Sequence, residues 1–230
     1  AYYGVQQHGK LLDLLNTQQY ADLWWESRRN SGILVNGNPR NAQFGNGVKP
    51  EIPDYIFPDG AKEGDPRVNP ANYSTDIDAA DFRRSKWLIT KANKEGTNWM
   101  EEIFDSAPIQ NHQLGVSGGT EGGRYAISLN YFNQDGIMKY TGYKRYSARA
   151  NTEFNVNKRV RVGENIQVAY AERVGGPFST RGIASNQSES NAVSFGYRMQ
   201  PIVPVYDIRG NFAGTLGNNL GNASNPVANL

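Results

Sequence analysis

The stretch "RYAISLNYFNQDG", residues 124–136, decides the fold because two kinds of side chain alternate along it. One parity is apolar and holds Tyr125, Ile127, Leu129 and Tyr131; the other holds Ala126, Ser128 and Asn130. Successive side chains of a strand point to opposite faces, so the stretch predicts a strand with one apolar and one polar face. In a soluble protein the apolar face would pack in a core, whereas in an outer-membrane barrel it would contact lipid.

Three neighbouring stretches repeat this alternation. They are "NHQLGVS" at 111–117, "YKRYSARANTEF" at 143–154 and "VRVGENIQVAYA" at 160–171. Some connections are tight, as in "SGGTEGG" and "NVNK", whereas the others are long. Four consecutive strands with short turns at one end and long loops at the other are typical of a transmembrane β-barrel, and a soluble meander has no such requirement.

Composition excludes some classes of protein. The net charge is only +2 and the basic residues form no sustained run, so the sequence gives no indication of nucleic acid binding. No stretch approaches 18 continuous apolar residues, which argues against a transmembrane helix. A barrel strand needs only about 10 residues of alternating pattern. With no cysteine, there is no disulfide framework and no cysteine metal site.

The region before the strands mixes a helix with long irregular segments. A helix is predicted over residues 17–30, with Asn16 as N-cap and Gln19 completing a capping box. Shorter helices are predicted at 78–89 and 97–104. Residues 32–96 are rich in Pro, Gly, Asn and Asp without a sustained period, which indicates a functional surface loop. Trp24 and Trp25 on the first helix either pack it onto its scaffold or contact a ligand or partner.

Two short stretches match part of a catalytic or metal-binding motif, but the residues around them do not match the rest of it. "GVSGG" at 115–119 matches a nucleophile elbow around Ser117, but that motif needs a following helix and a later histidine. Here the Gly-rich turn leads into another strand, and His8 and His112 both precede Ser117. The acidic run at 76–81 lacks the Gly and Glu positions of a calcium loop. We therefore predict no enzyme activity, no cofactor and no metal site.

The segment "PIVPVYDIRGNFAG", residues 201–214, differs from the strands. Its two prolines favour an extended backbone, and Asp207, Arg209 and Gly210 predict a turn before Phe212. It is expected to be a structured loop, positioned against a partner or over a lumen.

With these segments in place, the chain resembles the SusC/RagA family of TonB-linked outer-membrane transporters of the Bacteroidota. The resemblance lies in "AYYGVQ", "LLDLLNTQQYADL", "GTNWMEEIF", "APIQNHQLGVSGGTEGGRYAISLNYFNQDGI", "YKRYSARANTEFNVNKRVRVGENIQVAY", "PIVPVYDIRGNFAG" and "GNASNPVA". It implies an all-β fold: part of a 22-stranded antiparallel transmembrane barrel with a long, helix-containing extracellular loop. The chain would follow the plug domain of a longer protein in the bacterial outer membrane.

The resemblance also implies boundaries along the chain. Residues 1–5 would end the first barrel strand, and residues 6–107 would form the long extracellular loop with helices. Residues 108–173 would hold four barrel strands, and residues 174–230 would enter another extracellular loop that leads to further strands.

Function and partners follow from the same resemblance. The parent protein would import oligosaccharides or peptides together with a SusD-like surface lipoprotein, driven by the TonB complex through the plug. Outer-membrane lipid would surround the barrel. Substrate-binding or plug-contacting groups would be lumen-facing: Arg145, Arg149, Asn151 and Glu153. Trp24 and Trp25 would contact the lipoprotein or a sugar. Two alternatives remain open at this point: a soluble all-β carbohydrate-binding module, and a barrel enzyme using Ser117.

Overall fold

A five-stranded antiparallel sheet is the largest element of the structure. The structure is a computed structural model that describes residues 1–57, 59–75, 88–175, 191–214, 220 and 223–230. The strands follow the order β1-β4-β5-β6-β7. Their bounds are β1 Tyr2–Gln6, β4 Ala107–Thr120, β5 Gly123–Asp135, β6 Gly142–Asn157 and β7 Val160–Val174. They include the four stretches with alternating side chains.

Connections at the two ends of the strands differ in length. At one end β4 turns into β5 through Glu121 and Gly122, and β6 turns into β7 through Lys158 and Arg159. At the other end β5 joins β6 through residues 136–141, and the long segment after Gln6 returns to Ala107. Strand β7 also ends on this side, where Val174 pairs with Gly142. The predicted alternation of short and long connections is therefore present.

The chain divides into two compact units. The sheet unit comprises Ala1–Lys10 and Phe104–Gly176, and the loop unit comprises Leu11–Ile103 and Pro177–Leu230. The loop unit holds helices α1 Thr17–Asn30, α2 Trp99–Ile103 and α3 Ala192–Arg198, with a small hairpin of β2 Arg40–Asn41 and β3 Gly45–Asn46. Three short 3₁₀ helices span Pro66–Val68, Pro70–Asn72 and Val227–Asn229.

A hydrophobic core holds the loop unit together, and both of its segments contribute to it. The buried side chains from the first segment are Ala21, Trp25, Phe44, Ile56, Ala92 and Trp99. Those from the second segment are Phe195, Met199, Ile202, Val203, Ala213, Leu220 and Ala223. A smaller cluster of Phe57, Ala61, Val68 and Ile89 lies in the first segment. The two segments, far apart in sequence, thus form one packed body.

Helix α1 begins as the sequence predicted. The Asn16 side chain accepts a hydrogen bond from the Gln19 amide at 2.8 Å, and the Gln19 side chain accepts one from the Asn16 amide at 2.9 Å. This capping box satisfies two backbone donors that a helix start leaves free. Thr17, Ala21 and Trp25 form the buried face at a spacing of four residues.

Two predictions lie wholly or mostly outside the described residues: the short helix at 78–89 and the acidic run at 76–81. Within the described ranges, no helix combines the length and apolar character needed to span a bilayer.

Candidate functional site

One face of the sheet is apolar and open to the surroundings. The register aligns its side chains in rows across β4, β5, β6 and β7. One aliphatic row is Leu114, Leu129, Ala148 and Val168, and the next is Val116, Ile127, Ala150 and Ile166. Leu114 is 70% exposed, Val168 64% and Leu129 51%. Large apolar side chains that stay this exposed along a whole sheet face mark a surface that contacts lipid or another protein.

A row of aromatic rings borders the aliphatic rows on the side of the long connections. It runs across four strands through His112, Tyr131, Tyr146 and Tyr170. Neighbouring ring centroids lie 6.1, 5.1 and 6.5 Å apart. Towards the short turns, Tyr125 and Phe154 lie on the same face. Aromatic residues at both borders of an apolar band are typical of transmembrane barrels, where the rings lie at the two membrane interfaces.

The opposite face is polar, and it carries an ion-pair cluster near the short turns. One terminal nitrogen of Arg124 lies 2.8 Å from a carboxylate oxygen of Glu153. The Nε atom of Arg161 lies 3.1 Å from the other oxygen and 3.2 Å from the Asn155 side-chain oxygen. Three strands are cross-linked by this cluster, because Arg124 is on β5, Glu153 on β6 and Arg161 on β7. Glu153 is thereby neutralised by two guanidinium groups.

Further along β6, Arg145 and Arg149 point to the same face as Glu153, since alternate residues of a strand share a face. Arg149 lies opposite Ser128 and Gln167, and Arg145 lies opposite Phe132 and Ala171. Within the described part of the chain, neither guanidinium makes a side-chain hydrogen bond or ion pair. Both guanidinium groups can therefore bind a group that lies against the polar face of the sheet.

Asn151 completes the four residues that the sequence places on this face. It lies opposite Ala126 and Asn165. Its side-chain oxygen is shielded from solvent and accepts no hydrogen bond among the described residues. The structure thus brings all four predicted residues to one face of β6. Sequence reasoning missed the two partners of Glu153, Arg124 and Arg161, although their parity and the strand register identify them.

The two tryptophans of α1 have different surroundings. Trp25 is only 2% exposed, and its indole nitrogen donates a 3.0 Å hydrogen bond to the Gly47 carbonyl. Its ring is therefore part of the core of the loop unit and does not reach the surface. Trp24 is half-buried, with the Arg28 guanidinium 4.2 Å from its ring centroid. Of the pair, Trp24 alone presents ring surface to a partner or ligand.

Ser117 lies inside β4 and pairs with Ala126 of β5. It occupies no sharp turn between a strand and a helix, which a nucleophile elbow requires. Among the described residues, no group of three or more His, Asp and Glu side chains has a geometry that could hold a metal ion.

Comparison with known proteins finds relatives of one kind. No family model matches the chain. Over 150 residues the chain is 29% identical to TonB-dependent receptor P3 of Formosa agariphila, a stretch covering 64% of this chain and 15% of the relative. Over 103 residues it is 28% identical to TonB-dependent receptor SusC of Bacteroides thetaiotaomicron, covering 40% of this chain and 10% of that protein. The chain therefore spans only a small part of its relatives.

Solved structures show the same fold. The RagAB peptide importer in its closed-closed state superimposes with a TM-score of 0.57 at 22% identity, covering 98% of this chain and 23% of that one. Its open-open state gives 0.56 at 22% identity, covering 98% and 22%. A sheet with an aromatic-bordered apolar face and a polar face is the wall architecture of outer-membrane transporters. The resemblance is thus confirmed: in sequence the chain is similar to TonB-dependent receptors that include SusC, and its fold is similar to that of the RagAB peptide importer.

Proposed function

We propose that this chain is a segment of an outer-membrane TonB-dependent importer that takes up oligosaccharides or peptides together with a SusD-like surface lipoprotein. In this proposal β1 and β4–β7 are five consecutive strands of a 22-stranded barrel. The loop unit lies outside the cell, and the plug that contacts TonB is elsewhere in the parent protein. The relatives named as TonB-dependent receptors and as a peptide importer support this assignment.

The exposed apolar face of the sheet carries the proposal. From Tyr146 to Phe154, its two aromatic borders, the band spans eight residue steps of β6, roughly 26 Å at about 3.3 Å per residue. A strand tilt of about 40° reduces this to roughly 20 Å, comparable to the apolar band of outer-membrane barrels, which is about 25 Å tall. A soluble carbohydrate-binding module would bury these side chains, because leaving so much apolar surface in water forfeits about 25 cal/mol per Å².

On the polar face, two kinds of residue have different roles. Glu153 is engaged by Arg124 and Arg161, so it stabilises the barrel wall near the short turns. Arg145, Arg149 and Asn151 face the lumen, where they contact the plug or the passing substrate. Within a lumen screened from bulk solvent, two unpaired guanidinium groups favour an anionic or carbonyl-rich neighbour.

The loop unit would support capture of the substrate outside the cell. Its long segments connect to the strand ends opposite the short turns, and in outer-membrane barrels the long loops are extracellular. Trp24 offers a half-buried ring beside Arg28 for contact with the lipoprotein or stacking on a sugar. Trp25 would stabilise the helix that presents it.

Import of this kind is gated binding, in which no covalent bond of the substrate changes. The ligand is held between the lipoprotein and the barrel mouth and enters the lumen when pulling by TonB remodels the plug. The conformational change follows from different affinities of the two states for the ligand and for TonB.

The membrane orientation of the sheet predicts opposite effects of one substitution at adjacent positions. Ile127→Arg places a charge in the apolar band, at a cost of roughly 2–4 kcal/mol near the bilayer midplane. Ala126→Arg places the same charge on the polar face, opposite Ser117 and Asn151. We expect the full-length Ile127→Arg protein to fall several-fold in outer-membrane fractions and the Ala126→Arg protein to keep its level.

Immunoblotting of fractionated source cells measures both levels. Equal outer-membrane amounts of the two variants would contradict a lipid-facing assignment of this face. Loss of the Ala126→Arg protein alone would mean that the two faces have been exchanged.

A further inference from the structure

Cations outnumber carboxylates on the polar face of the sheet. By strand parity and register, the charged side chains that the described strands place on this face are five arginines and one glutamate: Arg124, Arg145, Arg149, Arg161, Arg173 and Glu153. The acidic residues nearest to the long connections, Asp135 and Glu172, belong to the opposite parity. The polar face therefore carries an excess of positive charge.

The arginines fall into two groups. Two of them share the carboxylate of Glu153 near the short turns, so their charges are matched within the sheet. The other three, Arg145, Arg149 and Arg173, are exposed, and among the described residues none of them makes a side-chain hydrogen bond or ion pair. A guanidinium stays charged at any physiological pH and presents a planar fork of donors that fits a carboxylate. These three groups are therefore unmatched.

The strand register brings the three unmatched arginines into one line, which we call the arginine track. Arg145 and Arg149 are four residues apart on β6, roughly 13 Å at about 3.3 Å per residue. Arg173 on β7 is a diagonal neighbour of Arg145, because Arg145 pairs with Ala171. Such diagonal side chains lie roughly 7–8 Å apart. The side chains around the track are small or neutral: Ser128, Ser147, Gln167, Ala169 and Ala171.

A groove beside the arginine track contains a hydrogen-bond acceptor without a donor. Its volume is about 450 Å³, and on the polar face it is lined by Arg124, Ala126, Asn151, Gly163 and Asn165. The Asn151 side-chain oxygen is shielded from solvent and accepts no hydrogen bond among the described residues. A shielded oxygen of this kind costs free energy, which an O–H or N–H group of a ligand would offset.

Together the track and the groove select a ligand that carries both a carboxylate and a hydrogen-bond donor. Arg149 suits the carboxylate, and Asn151, two residues further along the same face of β6, suits the donor roughly 7 Å away. Acidic peptides and uronic acid sugars both have this combination of groups. A neutral ligand that displaced water from the track would leave the guanidinium charges unmatched, at a cost in free energy.

We propose that the arginine track and Asn151 form a subsite for a carboxylate-bearing substrate in the lumen of the importer. The inference rests on the proposed function, because it takes the polar face as a wall of the transport path. It adds the chemical class of the cargo, which is anionic. Arg173 is nearest to the long connections, which are extracellular in such barrels, so it meets the carboxylate before Arg145 and Arg149 do.

Charge-selective labelling tests whether the arginine track is free to hold an anion. Ser147 lies between Arg145 and Arg149 on the polar face, and this chain contains no cysteine. The full-length protein with Ser147→Cys, and with any cysteine elsewhere replaced by serine, is reacted with an anionic and a cationic methanethiosulfonate. Each rate is divided by the rate of the same reagent with a free thiol. We expect the anionic reagent to react several-fold faster, because the arginines attract it.

Two further variants serve as controls for the labelling. Arg145→Gln together with Arg149→Gln should abolish the preference, whereas Arg159→Gln, which removes an arginine from the turn between β6 and β7, should retain it. Equal rates for the two reagents without these substitutions would mean that carboxylates of the parent protein, such as those of the plug, already match the arginines. That result would overturn the proposal, and so would protection of position 147 from both reagents.

Direct binding identifies the source of the carboxylate. The purified full-length protein is titrated with two matched pairs: a peptide of alternating Ala and Glu against one of alternating Ala and Gln, and trigalacturonate against galactotriose. We expect the charged member of one pair to bind about tenfold or more tightly than its neutral counterpart, as charge-assisted hydrogen bonds do. The pair that shows this difference distinguishes a peptide from a sugar.

The variant with Arg145→Gln and Arg149→Gln should lose that difference and bind the neutral ligands as the wild type does. Equal affinities within both pairs, or an equal loss for charged and neutral ligands in the variant, would refute the subsite.

The outcomes also separate this inference from the proposed function. If the protein is in the outer membrane and position 147 is labelled without a charge preference, only the substrate class is wrong. If the protein is absent from the outer membrane, the transport proposal fails and the subsite fails with it.

Discussion

At the scale of single residues, Gly96 shows how one backbone position can determine the packing of a unit. Its φ is 102°, and a Cβ atom added there would lie 2.9 Å from the Thr17 amide nitrogen and 3.1 Å from the Asn16 Cα atom. Both neighbours are backbone atoms at the start of α1, so they cannot move aside as a flexible side chain would. Glycine lets residues 93–97 pass against the helix start, where the Thr17 hydroxyl donates to the Asn93 carbonyl at 2.7 Å.

We expect Gly96→Ala to destabilise the loop unit by roughly 1–3 kcal/mol or more, from backbone strain and the steric clash together. Gly32→Ala is the control, because Gly32 also has a positive φ but its Cβ would have no atom within 4 Å. Tryptophan fluorescence during thermal unfolding measures both, since all four tryptophans lie between residues 11 and 103. Equal midpoints for the two variants would show that the close approach to α1 is unimportant.

The sequence predicted some residues well and others not at all. Asn16 and Gln19 were predicted as a capping box because that interaction is local, between residues three positions apart. The difference between Trp24 and Trp25 was not predictable, since it depends on Gly47 and Phe44 packing against the helix. The role of Gly96 was not predictable for the same reason, because its positive φ and its close approach to the start of α1 arise only in the folded chain.

At the scale of elements, the short helix Pro66–Val68 begins at an ion pair between Asp65 and Arg67. The Asp65 side chain accepts a hydrogen bond from the Arg67 amide at 2.9 Å and lies 2.6 Å from a terminal nitrogen of Arg67. The same nitrogen donates to the Gly60 carbonyl at 2.8 Å. Hydrogen bonding to the Arg67 side chain, together with the backbone bond, lowers the pKa of Asp65 to about 2.

This pKa predicts a pH dependence of defined sign. A carboxyl whose pKa is lower in the folded than in the unfolded chain stabilises the fold above its unfolded pKa, near 4, and loses that contribution as the pH falls towards 2. We therefore expect the unfolding midpoint of the wild type to exceed that of Asp65→Asn by a small margin at pH 6, because the pair is solvent-screened.

The margin should shrink as the pH falls from about 5 to about 3, as thermal unfolding of both proteins at each pH would measure. A margin that stays constant over this range would mean that the Asp65 charge contributes nothing to the fold.

Strands were the elements that the sequence predicted best. The alternating residues of all four stretches lie within strands, because period-two alternation persists over many residues and is hard to produce by other means. The β2–β3 hairpin and the 3₁₀ helices escaped prediction, since they last only two or three residues. Their positions are set by capping side chains such as Asp65, and by packing.

At the scale of the whole molecule, the two long connections are joined in a way that loop composition did not reveal. The Asn93 amide donates to the Ile202 carbonyl and the Thr97 amide to the Pro201 carbonyl, each at 2.8 Å. The Thr97 hydroxyl also donates to the Val203 carbonyl at 2.7 Å. The sequence of the first segment alone predicts a polar, irregular loop. The residues that complete its core lie about a hundred residues later in the chain. Sequence patterns of short range cannot report such pairings.

Because the core is shared, a substitution that destabilises one segment should also destabilise the other. Ile202 is fully buried, and Ile202→Ala should cost roughly 2–5 kcal/mol by leaving a cavity. We expect trypsin to cleave the variant faster at Arg40 and Lys62, about 150 residues earlier in the chain, and mass spectrometry of the fragments measures those rates. Tyr197→Ala, on the exposed side of the same segment, should leave both rates unchanged. If Ile202→Ala accelerated cleavage only within residues 191–214, the two segments would be independent loops without a common core.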